Sequence, residues 1–249
     1  MNGNWLLAAF RIGGPDSQQL VGFTHVEIHQ FKCPGSYAEW NAAAVVRSSS
    51  DGRSWSREGL AIGDPQPCKP QFGGSGYSSV LRQPAGGAAA PALRGGDRIA
   101  WRGWGGCHGY ASTDVTGAAG TWTRYFNGGF TEPGVGGRES CLPGLGANIA
   151  APIVHWNTYL GRFVMLTSYW GRNREIWMYT SADGVSWGRP ALLVNSTVHD
   201  IAYGQVIGAD SSHEAGREAT LVYAANPPTV PGAHRDFVTR AMRFTKGGQ

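Results

Sequence analysis

The residues with the most chemical potential lie in one short stretch, His25-Val26-Glu27-Ile28-His29. Alternation along a strand puts His25, Glu27 and His29 on one side and Val26 and Ile28 on the other. A row of imidazole, carboxylate and imidazole suits acid–base work, with Glu27 as the working carboxylate and the histidines orienting it. Metal ligation is the weaker reading, because positions two apart on a strand are about 7 Å apart, a long reach for one ion. A buried polar ladder between sheets is the structural alternative. Asp200 is the second carboxylate of interest; it follows His199 and opens the strand-like run Asp200–Ile207. Glu139, beside Arg138 in a long Gly-rich loop, is the third. A loop carboxylate can move and act as an alternate acid, and a solvated surface position is its bland counterpart.

Several side chains could hold a ligand near such carboxylates. Trp104, His108, His155, Trp156, Trp170 and Tyr203 offer flat or hydrogen-bonding surfaces suited to a sugar ring. Aromatic rings also fill β-rich cores, so each has a structural reading as well. Arg172 and Arg174 follow Trp170, and a guanidinium fork matches a carboxylate, as on a uronic or sialic acid.

The elements that must position these groups read as strands. Glycine numbers 38, aromatics are plentiful and charged residues make up only 15%, a composition of short strands joined by Gly-rich turns. One turn recurs. Ser49-Ser50-Asp51-Gly52-Arg53-Ser54-Trp55 matches Ser181-Ala182-Asp183-Gly184-Val185-Ser186-Trp187, and Ser112-Thr113-Asp114 with Trp122 is a stretched relative. The aspartates are 63 and 69 residues apart, a period that marks serial supersecondary units. Asp accepts bonds from nearby amides, Gly supplies the left-handed backbone and Trp packs into the unit. Because the turn repeats, Asp51 and Asp183 are structural. Four strand-like runs precede or flank each turn: Leu6–Ile12, Leu20–His29, Ala42–Arg47 and Glu58–Ile62; then Tyr77–Arg82, Arg98–Trp104, Gly109–Ser112 and Thr121–Tyr125; then Ile149–Trp156, Arg162–Ser168, Glu175–Thr180 and Pro190–Val194. A fourth unit has three, Asp200–Ile207, Ala219–Ala225 and Asp236–Phe244. The expected fold is an all-β propeller of four to five blades, each a four-stranded antiparallel sheet, in one domain over 1–249. The blade units fall near 5–63, 76–127, 148–195 and 199–245.

The repeated turns resemble the Asp boxes of sialidases and the Ser-x-Asp-Gly-x-x-Trp turns of five-bladed glycosidase propellers, the arabinanase, xylosidase and fructosidase-like families. Pro152-Ile153-Val154-His155-Trp156-Asn157 followed by Gly161-Arg162-Phe163-Val164-Met165-Leu166 looks like the inner two strands of such a blade. The resemblance implies a ligand site on the face opposite the turns, with acids at the upper ends of inner strands. The first-blade acid of those families has no counterpart near Asn4 or Trp5. Phe10-Arg11-Ile12-Gly13 is similar to the sialidase Phe-Arg-Ile-Pro motif, with Gly13 in place of proline. On the propeller reading, Cys33 and Cys68 occupy upper loops of the first unit and Cys107 and Cys141 the equivalent loops of the second. Equivalence selects the bridges Cys33–Cys68 and Cys107–Cys141 out of three connectivities. Each would add roughly 2–4 kcal/mol in an oxidising compartment.

The bulk properties narrow the partners. A net charge of +4 without a basic run argues against nucleic acid and leaves room for an acidic glycan. No apolar stretch approaches the ~20 residues of a membrane span. Met1 opens no signal peptide; Trp5–Phe10 reads as a strand already under way, in a mature form or a fragment truncated at its N-terminus. The expectation is a secreted or periplasmic monomer that needs no cofactor, with a structural or axial Ca2+ compatible with it. Its leading function is hydrolysis of a polysaccharide or oligosaccharide by paired carboxylates, Glu27 and Asp200, with Glu139 as alternate acid. Carboxyl separations of about 5–5.5 Å would make it retaining and roughly 6.5–9.5 Å inverting. The alternatives are a non-catalytic glycan-binding propeller, a lyase using Tyr203 or His155 with Arg172, or a sialidase-like enzyme.

Overall fold

A computed structural model describes residues 3–12, 17–33, 36–48, 52–63, 79–81, 94–95, 107–114, 116–146, 148–169, 171–209, 214–226 and 235–246. At 3–5, 27–33, 36–41, 43 and 94–95 only the backbone is described. The described residues form strands and turns, with no helix among them. They divide into two compact units, Met1–Cys141 and Leu142–Gln249.

The first unit opens with β1 (Gly3–Arg11), β2 (Leu20–Cys33), β3 (Ser36–Ser48) and β4 (Ser56–Ile62), a four-stranded antiparallel meander in sequence order. The β2–β3 pairing is continuous from Leu20 to Ile28 and slips between Ile28 and Phe31. Both faces of β2 are covered. Val21, Phe23 and His25 alternate with Thr24 and Val26, and all five are buried. That double burial explains why apolar residues stand on both faces of this strand, as a strand covered on both sides requires.

A second sheet follows: β5 (Arg94–Gly95), β6 (Tyr110–Ser112), β7 (Trp122–Phe126) and β8 (Gly129–Pro133). Sequence reading makes Thr121–Tyr125 the outer strand, but β8 lies outside it. The cause is the tight turn at Asn127-Gly128, both left-handed at φ 47° and 101°, the Asn-Gly geometry that joins two strands in two residues. Arg98–Trp104 and half of Tyr77–Arg82 lie outside the described residues. Phe10, Val21, Phe23, Val45, Ile62, Tyr110 and Trp122 form the core of this unit, with Trp122 edge-on to Phe23 at 5.5 Å.

In the second unit, β9 (Ile149–Asn157), β10 (Arg162–Tyr169), β11 (Arg172–Ser181) and β12 (Ala191–Asn195) repeat the antiparallel meander. The last sheet has three strands, β13 (Asp200–Gly208), β15 (Glu218–Asn226) and β16 (Asp236–Arg243). Between β13 and β15 the chain makes a short excursion, β14 (Glu214–Ala215), which pairs in parallel with Trp156 and Asn157 at the edge of β9. Val164, Leu166, Ile176, Ile201, Val206, Leu221 and Tyr223 form the shared core of the two sheets.

The repeated turn has the predicted chemistry where it is described. Between β11 and β12, Asp183 Oδ1 accepts from the amides of Val185 and Ser186 at 2.8 and 2.7 Å and from the Ser181 hydroxyl at 2.9 Å. Gly184 takes φ 72° and Trp187 is buried. The Trp187 amide donates to the Pro143 carbonyl at 2.9 Å. Gly144 is required there, because a Cβ on it would lie 1.9 Å from the Trp187 carbonyl oxygen. The stretched copy uses the same logic, with Asp114 accepting from the Thr116 amide at 2.6 Å and the Trp122 indole donating to Gly117. Asp51 lies outside the described residues.

Candidate functional site

The β-meander fixes which end of each sheet a residue occupies. In the second unit the turn at Asp183 ends β11, so the starts of β9 and β11 share the opposite end, and the start of β13 joins that of β11 through the contact of Arg174 with Asp200. Asp200 is the first residue of β13, at that opposite end, with its side chain 51% exposed. Arg174 reaches it at 3.4 Å and also donates to the Thr197 carbonyl. A pair this exposed is weak, so Asp200 stays available to a ligand. Arg172, 62% exposed, lies 3.5 Å from Glu175, whose same oxygen accepts from the Trp177 indole at 2.9 Å. Trp156 is half-buried and edge-on to Phe163 at 4.9 Å.

Tyr203, three residues along β13, carries the strongest local signal. Its φ is 59°, a region that costs a bulky residue about 1–3 kcal/mol. It sits in a β-bulge, where pairing with β15 slips between Ala202 and Gln205. Its neighbour Gly204 fits because a Cβ there would press on Ile176 at 3.0 Å. The guanidinium of Arg235 lies 5.1 Å from the Tyr203 ring centroid. Ala151 in β9 has φ 47°, also beside a slip in the ladder. Bulges that re-aim side chains are enriched next to active sites. Sequence reading picks out Tyr203 as an aromatic but misses Arg235, which no spacing connects to it.

Other expected site residues are placed differently. His155 faces the core: it is 4% exposed, its ring is 6.0 Å from that of Phe244, and neither ring nitrogen has a hydrogen-bond partner among the described residues. Burial pushes its pKa down to about 4, so the ring is neutral. It is a core residue rather than part of a sugar platform. His25 is likewise fully enclosed, in line with Phe23 and Val21, so it is not a surface group. Glu27 and His29 belong to β2, but their side chains lie outside the described residues, as do Trp104 and Trp170. Arg11 is exposed and donates to the Ser17 carbonyl at 2.5 Å, at the end of β1 that adjoins the first repeated turn. The ligand face expected from sequence is the opposite one.

Glu139 is the main correction. It is buried, not a solvated loop carboxylate that swings. Arg124 pairs with its Oε2 at 2.9 Å, both side chains being 7% exposed, and the Tyr110 hydroxyl donates to the same oxygen at 3.3 Å. Arg124 also donates to the carbonyls of Gly134 and Gly63 at 2.9 and 2.6 Å. The group therefore ties the Gly-rich loop to the ends of the first and second sheets. Arg124 escaped sequence reading because its partners lie 15 and 61 residues away. Next to it, Cys107 and Cys141 form a disulfide. His108 bridges to Cys141 through the backbone and lies with both sulfurs within 4.8 Å. With the sulfurs bonded to each other, that cluster offers one imidazole and no thiolates, so it is not a metal site. The Cys33–Cys68 bridge lies outside the described residues.

No protein-family model matches the chain, and no curated protein matches it in sequence. Solved structures do match in fold. A glycoside hydrolase of the GH130 mannoside phosphorylase family, described as targeting β-1,2 mannosidic linkages in Candida mannan, superposes with a TM-score of 0.59 over 97% of this chain and 67% of its own, at 11% identity. A xylan β-1,4-xylosidase from Bacillus halodurans C-125 gives 0.53 over 100% of this chain and 43% of its own, at 9% identity. Fructan 1-exohydrolase IIa from Cichorium intybus gives 0.54 over 94% and 44%, at 12% identity. The fold is that of a β-propeller, and the likeness to these glycoside hydrolases is one of fold alone. The chain spans about half the length of two of these propellers. At such identities the likeness carries the fold and leaves the working residues to be argued from this chain.

Proposed function

We propose that the protein is a glycoside hydrolase with Asp200 as one of its two working carboxylates. The observation that carries this is the exposed Asp200 at the start of β13, three residues before the strained Tyr203, at the end of the sheet away from the Asp183 turn. The fold likeness to glycoside hydrolases supports it. Glycoside cleavage needs one carboxyl group to protonate the leaving oxygen and another to activate water or attack the anomeric carbon. Asp200 would take the base or nucleophile role. Glu27 would be its partner. Tyr203 and Arg235 would supply a flat, cationic platform for the sugar. The disulfide supports an oxidising compartment such as a secreted or periplasmic one.

The test is reducing-end release from a panel of plant, algal and microbial polysaccharides. Asp200→Asn and Glu27→Gln should each lower the rate by roughly 100-fold or more, with unfolding temperature preserved. Full activity in Asp200→Asn, or no release from any polysaccharide by the wild type, removes this assignment. Glycan binding without hydrolysis is the second reading, favoured by the withdrawal of Glu139 into an ion pair.

A further inference from the structure

Three copies of one turn provide an internal comparison. In each, a tryptophan closes the turn. Trp122 and Trp187 are buried, at 4% and 7% exposure. Trp55 is only half-buried. Its orientation is nevertheless fixed: the indole N–H donates to the Gly52 carbonyl at 2.6 Å, and its six-membered ring lies so close to β2 that a Cβ on Gly22 would meet it at 2.8 Å. Packing therefore does not require the exposure that this copy retains.

The exposed part of Trp55 lines a cleft of about 570 Å³, within the range of small-molecule sites. Its other walls are the β1–β2 turn (Ile12, Gln19, Leu20), the end of β3 (Arg47, Ser48) and Ser54 and Ser56. The lining thus combines a rigid aromatic ring with an amide and three hydroxyls. Its one guanidinium is already neutralised, because Arg47 pairs with Glu58 and donates to Thr116 at 3.2 Å. Arg47 and the Ala119 amide, which donates to Glu58 Oε1 at 2.8 Å, hold Glu58 in place, and the Glu58 carboxyl lies below its usual pKa, chiefly through the Arg47 hydrogen bond. A ligand with apolar ring faces, many hydroxyls and no charge fits this set.

We infer that the cleft at Trp55 is a binding site for a neutral oligosaccharide, stacked on the indole and hydrogen-bonded by Gln19, Ser54 and Ser56. It lies at the end of the first sheet that carries the repeated turn, and it does not depend on the hydrolase reading. A site of this kind would hold a polymer chain to the protein rather than cleave it.

The experiment is calorimetric titration with xylotetraose, mannotetraose and laminaritetraose, in the Asp200→Asn background and in wild type. An open, partly polar cleft should give a Kd on the order of 1 mM for at least one of them. Ser54→Trp and Ser56→Arg fill the cleft from exposed positions and should weaken binding roughly tenfold or more. Trp55→Phe, which keeps the packing on Gly22, should weaken it by a smaller factor. Unchanged unfolding curves for the two filling variants show that the fold is intact. Binding that survives both filling variants, or no binding by any of the three sugars at about ten times that Kd, overturns the inference.

Discussion

Glu139 separates a structural from a catalytic reading more sharply than any other residue of the protein. Sequence offers it as an alternate acid, and the structure gives it a different task. The perturbation is Glu139→Gln. Glutamine keeps the shape and one acceptor for the Arg124 guanidinium, so the hydrogen bond itself can persist. What disappears is the opposite charge facing a guanidinium that is 7% exposed. Breaking a buried pair by removing one partner costs about 3–5 kcal/mol. The carbonyls of Gly63 and Gly134 still receive Arg124 and offset part of this, which puts the substitution at about 2–3 kcal/mol. Arg124→Met removes all three donors and should reach the full 3–5 kcal/mol. The double variant Arg124→Met/Glu139→Leu should cost less than the sum of the singles, since neither charge is then left alone.

The assay is urea unfolding followed by tryptophan fluorescence. With a slope near 2 kcal/mol per M, Glu139→Gln should lower the midpoint by about 1 M. Glu132→Gln, which breaks the exposed pair with Arg138 in the same loop, is the control and should leave the midpoint unchanged. Activity of Glu139→Gln, measured well below its midpoint, should stay within a few-fold of wild type. An unchanged midpoint together with loss of hydrolysis would refute this reasoning and return Glu139 to the chemistry.

Two further outcomes follow from the same physics. His155 is held neutral in the core with a pKa of about 4, whereas in the unfolded chain it titrates near 6.5; between these values the unfolded state binds more protons, so stability is fully present above about pH 6.5 and falls by about 3 kcal/mol as pH drops toward 4. His155→Phe should flatten that part of the pH–stability curve measured by urea midpoints, and an unaltered curve would count against the core placement. Asp183→Ala removes the acceptor of two turn amides and the Ser181 hydroxyl, and should cost about 1–3 kcal/mol in the unfolding free energy while leaving turnover by folded protein intact.

The strands were largely legible because their signals are local. The alternation in β9 to β12 and the Ser181–Trp187 turn each lie within a dozen or so residues, and the structure places them within a residue or three of expectation. The outer strand β8 was just as local, announced by Asn127-Gly128, but a repeat of four strands per unit had already been filled and left no room for it. The chemistry was less legible for a different reason. His25 and His155 are polar letters on apolar faces; alternation tells which residues share a face and cannot tell whether that face meets solvent or another sheet. Burial of His25 depends on the second layer around Phe23 and Trp122, which no window around β2 contains. Glu139 has the same difficulty, since its fate is decided by Arg124 across a hairpin.

The backbone of the second unit adds an argument that composition could not. Left-handed positions are normally given to glycine, and at the turns flanking the Asp183 end this holds, with φ of 63° at Gly161 and 72° at Gly184. Near the starts of β9 and β13 the rule is broken by Ala151 and Tyr203. A glycine at 203 would adopt the same backbone without the strain. Retaining a ring there costs stability, and Gly204 beside it shows that glycine was available to the sequence at this bulge. Packing of β13 on Ile176 accounts for Gly204, not for the neighbouring ring. The ring is therefore best explained by what it faces, the Arg235 guanidinium. Strain of this sort marks the end of the sheet where side-chain identity matters more than backbone ease, and it is the end on which the proposed chemistry was placed.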